Sequence, residues 1–328
     1  MKYLVWLLLI IAPVMYAQPQ QQQAPSTDYI HQLPVSFKSQ FLQTLMAIVG
    51  KKKSLERAMK HQRFASEAAS IPAKLFVDSA VEEIGVGERR AWLVTPKREA
   101  AKRVILYIHG GGYISNMTKY DWSFVRELGV RTNSSIVVAD YPLAPVSNYK
   151  HVYAYFDELY RNMLTQIAND DIIFLGNSAG GGIALGFAQK LRDENRPLPS
   201  KIILNSPWLD VSMSNPEIVD IDKKDKSLGI EGLRMAGKAY AADLSTNDPR
   251  VSPIYGEFSG LPPIHLFIGT HDLFLPDARK LKQQLMALDI RMNYYEYPRM
   301  FHVWVAVTSL RESRHAISQM EGIINSNR

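Results

Sequence analysis

The run Ile173-Phe174-Leu175-Gly176-Asn177-Ser178-Ala179-Gly180-Gly181-Gly182 passes from an apolar block into clustered glycines, with one serine in the middle. Three readings compete for Ser178: a nucleophile on a strand-to-helix turn, part of a phosphate-cradling loop, or a helix N-cap. A phosphate loop calls for a lysine and a Ser/Thr after its last glycine; Ile183-Ala184 stand there instead. An N-cap suits the helical pattern that follows but leaves glycines on both sides unexplained. A nucleophile elbow explains them, because at Gly176-x-Ser178-x-Gly180 a side chain on either glycine would collide with strand or helix. By itself the pattern also occurs in plain glycine turns, so the rest of the chain decides.

Short runs rich in β-branched or aromatic residues recur at Leu75-Phe76-Val77, Ala91–Val94, Val104–Ile108, Ile136–Ala139, Ile172–Leu175, Ile202–Leu204, Ile264–Ile268 and Arg291–Tyr297. From Val104 onward most are separated by helix-length segments such as Tyr149–Gln166, Ser178–Asp193 and Pro276–Leu288. Apolar strands alternating with helices predict an α/β fold: an eight-stranded, mostly parallel sheet with helices on both faces. Between Ile202–Leu204 and Ile264–Ile268 lie about sixty residues, more than one crossover needs. An insertion over one end of the sheet is expected there. Apolar residues at helical spacing from about 38 to 70 predict two further helices, broken near Gly50.

The N-terminus runs from Met1-Lys2 through apolar Tyr3–Met15 to Tyr16-Ala17 and a Gln/Pro stretch. That order predicts an export signal at 1–17, followed by a flexible segment over 18–30 and a single domain over 31–328. The expected location is periplasmic or secreted. The apolar run is shorter than the roughly 20 residues that cross a bilayer, so no stable membrane span is expected unless the signal is kept as an anchor. The chain has no cysteine, which excludes disulfides, thiolate metal sites and a cysteine nucleophile. Lys+Arg number 38 against 32 Asp+Glu, but the short runs at 51–53 and 223–226 do not interleave with aromatics. They read as solvated faces, and no nucleic-acid partner is expected; a homodimer stays open.

Directly after Val104–Ile108 comes His109-Gly110-Gly111-Gly112-Tyr113. Attack on an ester carbonyl creates an oxyanion, and consecutive glycines let backbone N–H groups reach it unobstructed. A serine nucleophile on such a sheet is followed in chain order by an acid and a histidine. Of the eight histidines, His265, His271, His302 and His315 follow Ser178. His265 lies within a strand and His315 in a polar, solvated-looking helix. His302 follows the last strand in a loop before the final helix, where the base belongs. Asp272 lies just beyond Ile264–Ile268 and is the candidate acid; Asp277 reads better as an early helical residue, favourable to the helix dipole.

Taken together, HGGGY (109–113), YPLAP (141–145), GNSAGG (176–181), SPWLD (206–210), DPRVSP (248–253), GTHDLFLPDA (269–278) and MFHVW (300–304) resemble the hormone-sensitive-lipase-like branch of the α/β-hydrolases (family IV), which includes many bacterial carboxylesterases. The resemblance covers the chain from about Leu75 onward. It implies Ser178 as nucleophile, His302 as base, Asp272 as its partner, and oxyanion donors at Gly111, Gly112 and the N–H of Ala179. It also implies a cap, for which 38–70 and 213–247 are the matching segments. Asn177 stands where the family commonly has an acid, Pro142 where an arginine is usual, and Val303-Trp304 where Gly-Phe is commoner.

The reaction these residues imply is hydrolysis of a small-molecule carboxylic ester of short to medium acyl length, with no cofactor and no metal. Lactone, amide or thioester cleavage by the same groups, or a receptor with an inert serine, are the alternatives. Tyr113 and Trp208, beside the motifs, are expected to line the acyl pocket.

Overall fold

A computed structural model describes residues 27–64, 70–97 and 103–326. The export signal expected at 1–17 lies outside them. Nine strands build one sheet: β1 (Asp28–Ile30), β2 (Ser79–Val86), β3 (Arg89–Pro96), β4 (Val104–Ile108), β5 (Ser135–Asp140), β6 (Ile172–Asn177), β7 (Lys201–Asn205), β8 (Ile264–Gly269) and β9 (Met292–Tyr297). Their order is β1-β9-β8-β7-β6-β4-β5-β3-β2. The pairings of β3 with β2 and with β5 are antiparallel and the others parallel.

Every residue of β4, β6 and β7 is buried. Successive side chains of a strand point to opposite faces, and the two cores divide accordingly. Leu106, Ile108, Ile172 and Phe174 enter the core shared with α4 (Tyr149–Leu164) and α5 (Ala179–Asp193). Ile105, Tyr107, Ile173 and Leu175 enter the other, against α3 (Lys119–Thr132) and α9 (Arg311–Asn325). That double burial is why these strands show as unbroken apolar runs in the sequence.

Two expectations need correction. The sheet has nine strands, not eight, because Asp28–Ile30 pairs with Tyr294–Glu296 of β9 inside the stretch expected to be flexible. Its backbone supplies the pairing, and Lys282 adds an ion pair to Asp28 at 2.6 Å. The first strand of the hairpin is not Leu75-Phe76-Val77, where a 3-10 turn spans Ala73–Leu75, but Ser79–Val86. At the sheet edge this strand points Glu82 and Glu83 into water, so it carries no apolar run.

The cap is composite. From the N-terminal side come α1 (Phe37–Ile48) and α2 (Ser54–Lys60), separated at Gly50, whose φ of +65° ends the first helix. From the insertion come α6 (Ile218–Asp222) and α7 (Ile230–Ala241). The α7 backbone meets α2 so closely that a Cβ on Gly232 would lie 2.6 Å from the Glu56 nitrogen. Lys52 adds an ion pair to Asp222 at 2.8 Å. Among the described residues no helix is long and apolar enough to cross a membrane.

Gly232→Val should therefore pry α2 from α7 and cost about 1–3 kcal/mol, the usual range for overpacking. Thermal unfolding measures it; an unchanged melting temperature would show that this contact does not hold the cap together.

Candidate active site

Ser178 stands between β6 and α5 with φ 55° and ψ −120°. A non-glycine residue held at positive φ is strained and needs its neighbours to impose the conformation. Here they do: the Ser178 N–H donates to the Asn205 carbonyl at 2.9 Å, and the Ser178 carbonyl accepts from the N–H groups of Gly181 and Trp208, each at 2.9 Å. The flanking glycines are steric necessities. A Cβ on Gly176 would lie 2.3 Å from the Gly180 oxygen, and one on Gly180 would lie 2.1 Å from the Ile108 oxygen.

The structure brings the three predicted residues together. His302 Nε2 lies 2.8 Å from Ser178 Oγ, and its Nδ1 lies 3.0 Å and 3.2 Å from the two Asp272 carboxylate oxygens. Asp272 is fully buried, and the His302 side chain is 11% exposed. With Nδ1–H donating to Asp272, Nε2 is left to accept the serine proton. Several contacts fix the imidazole. The Val303 N–H donates to Ser206 Oγ at 3.1 Å, and Phe274 meets the ring edge-on at 5.1 Å between centroids. The Phe274 N–H donates to Asp272 Oδ1 at 3.0 Å.

The glycine loop lies directly over the serine: a Cβ on Gly110 would come within 3.0 Å of Ser178 Cβ. Gly111 (φ 112°) and Gly112 (φ 62°) turn the chain there, and the Gly111 carbonyl accepts from the Ile114 and Ser115 N–H groups. The N–H groups of Gly111 and Gly112 meet no backbone acceptor among the described residues. Ala179, as first residue of α5, has an N–H with no partner inside the helix. These are the three N–H groups expected to serve an oxyanion. Tyr141 donates its hydroxyl to the His109 carbonyl at 2.8 Å and stacks on the His109 ring, which anchors the start of the loop.

Asn177 has a place that the sequence did not explain. Its side-chain N–H donates to the Tyr107 hydroxyl at 2.8 Å, and its Oδ1 accepts from Asn205 at 2.9 Å. It ties β4, β6 and β7 together directly beneath the elbow. Asp225, in the cap loop between α6 and α7, was not singled out at all. It is buried, takes N–H donation from Ser227 and Leu228, and with Oδ2 accepts the Leu273 N–H at 2.8 Å, one residue past Asp272. Burial, then the nearby Asp272 charge, push its carboxyl above the usual range. The Asp-x-Ser turn at 225–227 was its only local signal.

Tyr113 and Trp208, expected to line the acyl pocket, expose almost no surface in this structure, a third departure from the sequence reading. Both are fully buried: Tyr113 stacks on Tyr240 at 3.8 Å, and Trp208 stacks on Phe274 at 5.7 Å. The positive φ of Tyr113 and the neighbours of both turn them into the core, so Trp208 backs Phe274, the ring that flanks His302. His315 is not simply solvated either, since its Nδ1 lies 2.8 Å from the Tyr297 hydroxyl. His265 is buried against Asn293, and burial lowers its pKa to about 3. His271 bonds Gln43 of the cap at 3.1 Å. Among the described residues no three His, Asp or Glu side chains converge as a metal site would require.

The rival acid, Asp277, lies in the first turn of α8 (Leu275–Ala287) and accepts from Asn215 at 2.9 Å. Burial raises its carboxyl to about 6. A folded-state value above the unfolded one means that the folded protein keeps this proton longer. Its contribution to stability is therefore lost as pH rises from about 4 to about 6. Asp277→Asn should melt at a higher temperature than the parent at about pH 8, with the gap closing near about pH 4. Calorimetry at the two pH values checks this, and a variant less stable at both would refute it.

Comparison with known proteins places this geometry among relatives. A family model described as alpha/beta hydrolase fold matches residues 105–306. An esterase of Acinetobacter venetianus is 30% identical over 213 residues, covering 62% of this chain and 70% of its own. An acetyl-hydrolase of Streptomyces hygroscopicus is 29% identical over 71% of this chain and 82% of its own. The solved structure of an esterase/lipase from an uncultured bacterium superposes with a TM-score of 0.75 at 26% identity, covering 88% of this chain and 98% of that one.

Proposed function

The chain belongs to the α/β-hydrolase fold family, in its hormone-sensitive-lipase-like branch of ester hydrolases, and we propose that it is a serine carboxylesterase cleaving short to medium acyl esters through an acyl-enzyme. The observation that carries this reading is one imidazole bridging two groups: His302 Nε2 at 2.8 Å from Ser178 Oγ, and Nδ1 at 3.0 Å from Asp272.

His302 takes the hydroxyl proton as Ser178 Oγ forms a bond to the acyl carbon. The carbonyl electron pair moves to oxygen, where the N–H groups of Gly111, Gly112 and Ala179 receive it. Each such donor contributes roughly 2.7–4 kcal/mol in the transition state. Asp272 holds the ring in orientation and stabilises its cation. The imidazolium then protonates the departing alkoxide as the C–O bond breaks. Water, giving its proton to His302, then attacks the acyl carbon; the bond to Oγ breaks, the imidazolium returns its proton to Oγ, and the carboxylic acid leaves.

Short acyl chains are favoured by the cap. Leu55 of α2 approaches Gly112 so closely that a Cβ there would meet Leu55 Cδ1 at 3.3 Å. The acyl tail would have to run past this side chain.

Ser178→Ala should lower kcat for p-nitrophenyl butyrate by about 10⁶-fold, as in other triads; activity kept in that variant would remove the assignment. Rates across an acyl series should fall beyond hexanoate, and Leu55→Ala should shift the optimum to longer chains by relieving that crowding. A wild-type preference for long-chain emulsions would overturn the chain-length reading while leaving the esterase in place.

A further inference from the structure

Helix α1 turns an apolar stripe outward. Phe37, Phe41, Leu45 and Ile48, with Val49 just past the end, are 83%, 57%, 42%, 76% and 59% exposed. Their spacing of four, four and three residues puts them on one face. The opposite face holds the helix in place, with Leu42 and Met46 packed into the core and Ser39 buried against Glu312. Ser36 caps the first turn, and Glu312 accepts its hydroxyl at 2.9 Å. Gln43 donates to the Arg299 carbonyl at 3.0 Å. The stripe thus belongs to a well-anchored helix. Nothing in the proposed chemistry uses it, and a contiguous exposed apolar patch marks an interaction surface.

The rim of the stripe is cationic. From His31 to Leu55 the chain carries four lysines and no carboxylate. Lys52 is paired with Asp222, while Lys51 and Lys53 are exposed. From the insertion and the β9–α9 loop, Lys224, Lys226 and Arg299 lie near enough to His271, which Gln43 touches, to depress its pKa after burial has done so. Glu56, Asp220 and Asp222 are each already paired with a lysine, so the charge left over at the rim is cationic and opposes pairing with a second copy of itself. It complements a layer of anionic headgroups, into which apolar side chains enter while lysines meet phosphates.

We propose that α1 docks the protein on anionic lipid bilayers, apolar stripe inward, with Lys51, Lys53 and Lys224 on the headgroups. The docked face belongs to the same cap that carries Gln43 to the acid loop and Leu55 to the glycine loop. Docking would hold the site against a lipid surface and give it esters dispersed there.

Flotation of the full chain with phosphatidylcholine vesicles, with and without phosphatidylglycerol, tests this. Wild type should float with the anionic vesicles and far less with the neutral ones. Phe41→Glu with Ile48→Glu should weaken binding by about a hundredfold, roughly tenfold for each apolar side chain lost from the interface. Lys51→Glu with Lys53→Glu should remove the preference for phosphatidylglycerol, each lysine being worth about fivefold near such a surface. No flotation of wild type, or undiminished binding of the Phe41/Ile48 variant, overturns the proposal. So does a wild-type dimer that the variant splits while neither binds vesicles. Hydrolysis of a water-soluble ester at the wild-type rate shows that each variant is folded and separates failure here from failure of the esterase reading. Should the double variant lose that activity, Phe37→Gln, at the most exposed position, decides by the same assay.

Discussion

The approach of α5 to β4 constrains everything at the carboxyl edge of the sheet. Gly180 lies so near the Ile108 carbonyl that a single methyl group would overlap it. A helix that begins so close to the neighbouring strand forces the chain to reverse within one residue, and that residue is Ser178, at φ 55°. The strain persists because the Asn205 carbonyl and the Trp208 N–H hold both sides of the serine peptide. The loop that follows β4 passes over the serine, where a Cβ on Gly110 would come within 3.0 Å of Ser178 Cβ. The glycine loop and the strained serine thus meet at one packing contact.

The acid side of the site is built differently. Asp272 is reached from the sheet through β8, but its neighbour Leu273 is held by Asp225 from the cap. Gln43, from the other cap segment, holds His271 on the opposite side. The loop carrying the acid is thus clamped by both halves of the cap, whose own union rests on Gly232 against α2 and on the Lys52–Asp222 pair. The two cap segments and the position of Asp272 are mechanically joined through these few contacts.

What was legible in the sequence follows from the range of the forces involved. Strands buried on both faces carry unbroken apolar runs, so β4 to β8 could be read directly, and the three residues brought together at their ends follow turns with a local signature. β1 and β2 could not be read, because one is held by backbone pairing and the other has a face in water. Adjacency to a motif likewise says nothing about direction: Tyr113 follows the glycines, yet its φ of 64° aims the ring at Tyr240. Asn177 and Asp225 find their partners on elements far away in sequence, and no local pattern reveals such contacts. The apolar spacing of α1 predicted a helix correctly but could not tell the stripe that faces the core from the one that faces outward.

Asn177 sits immediately behind Ser178, at the end of β6. An amide there donates with one end and accepts with the other, and it neither gains nor loses a proton at any pH at which proteins stay folded. The side chain directly under Ser178 thus keeps one charge state throughout. Any response of the serine to acid or alkali must therefore come from the groups around this amide, such as Asp121, which accepts the Tyr107 hydroxyl, and His302 on the serine itself.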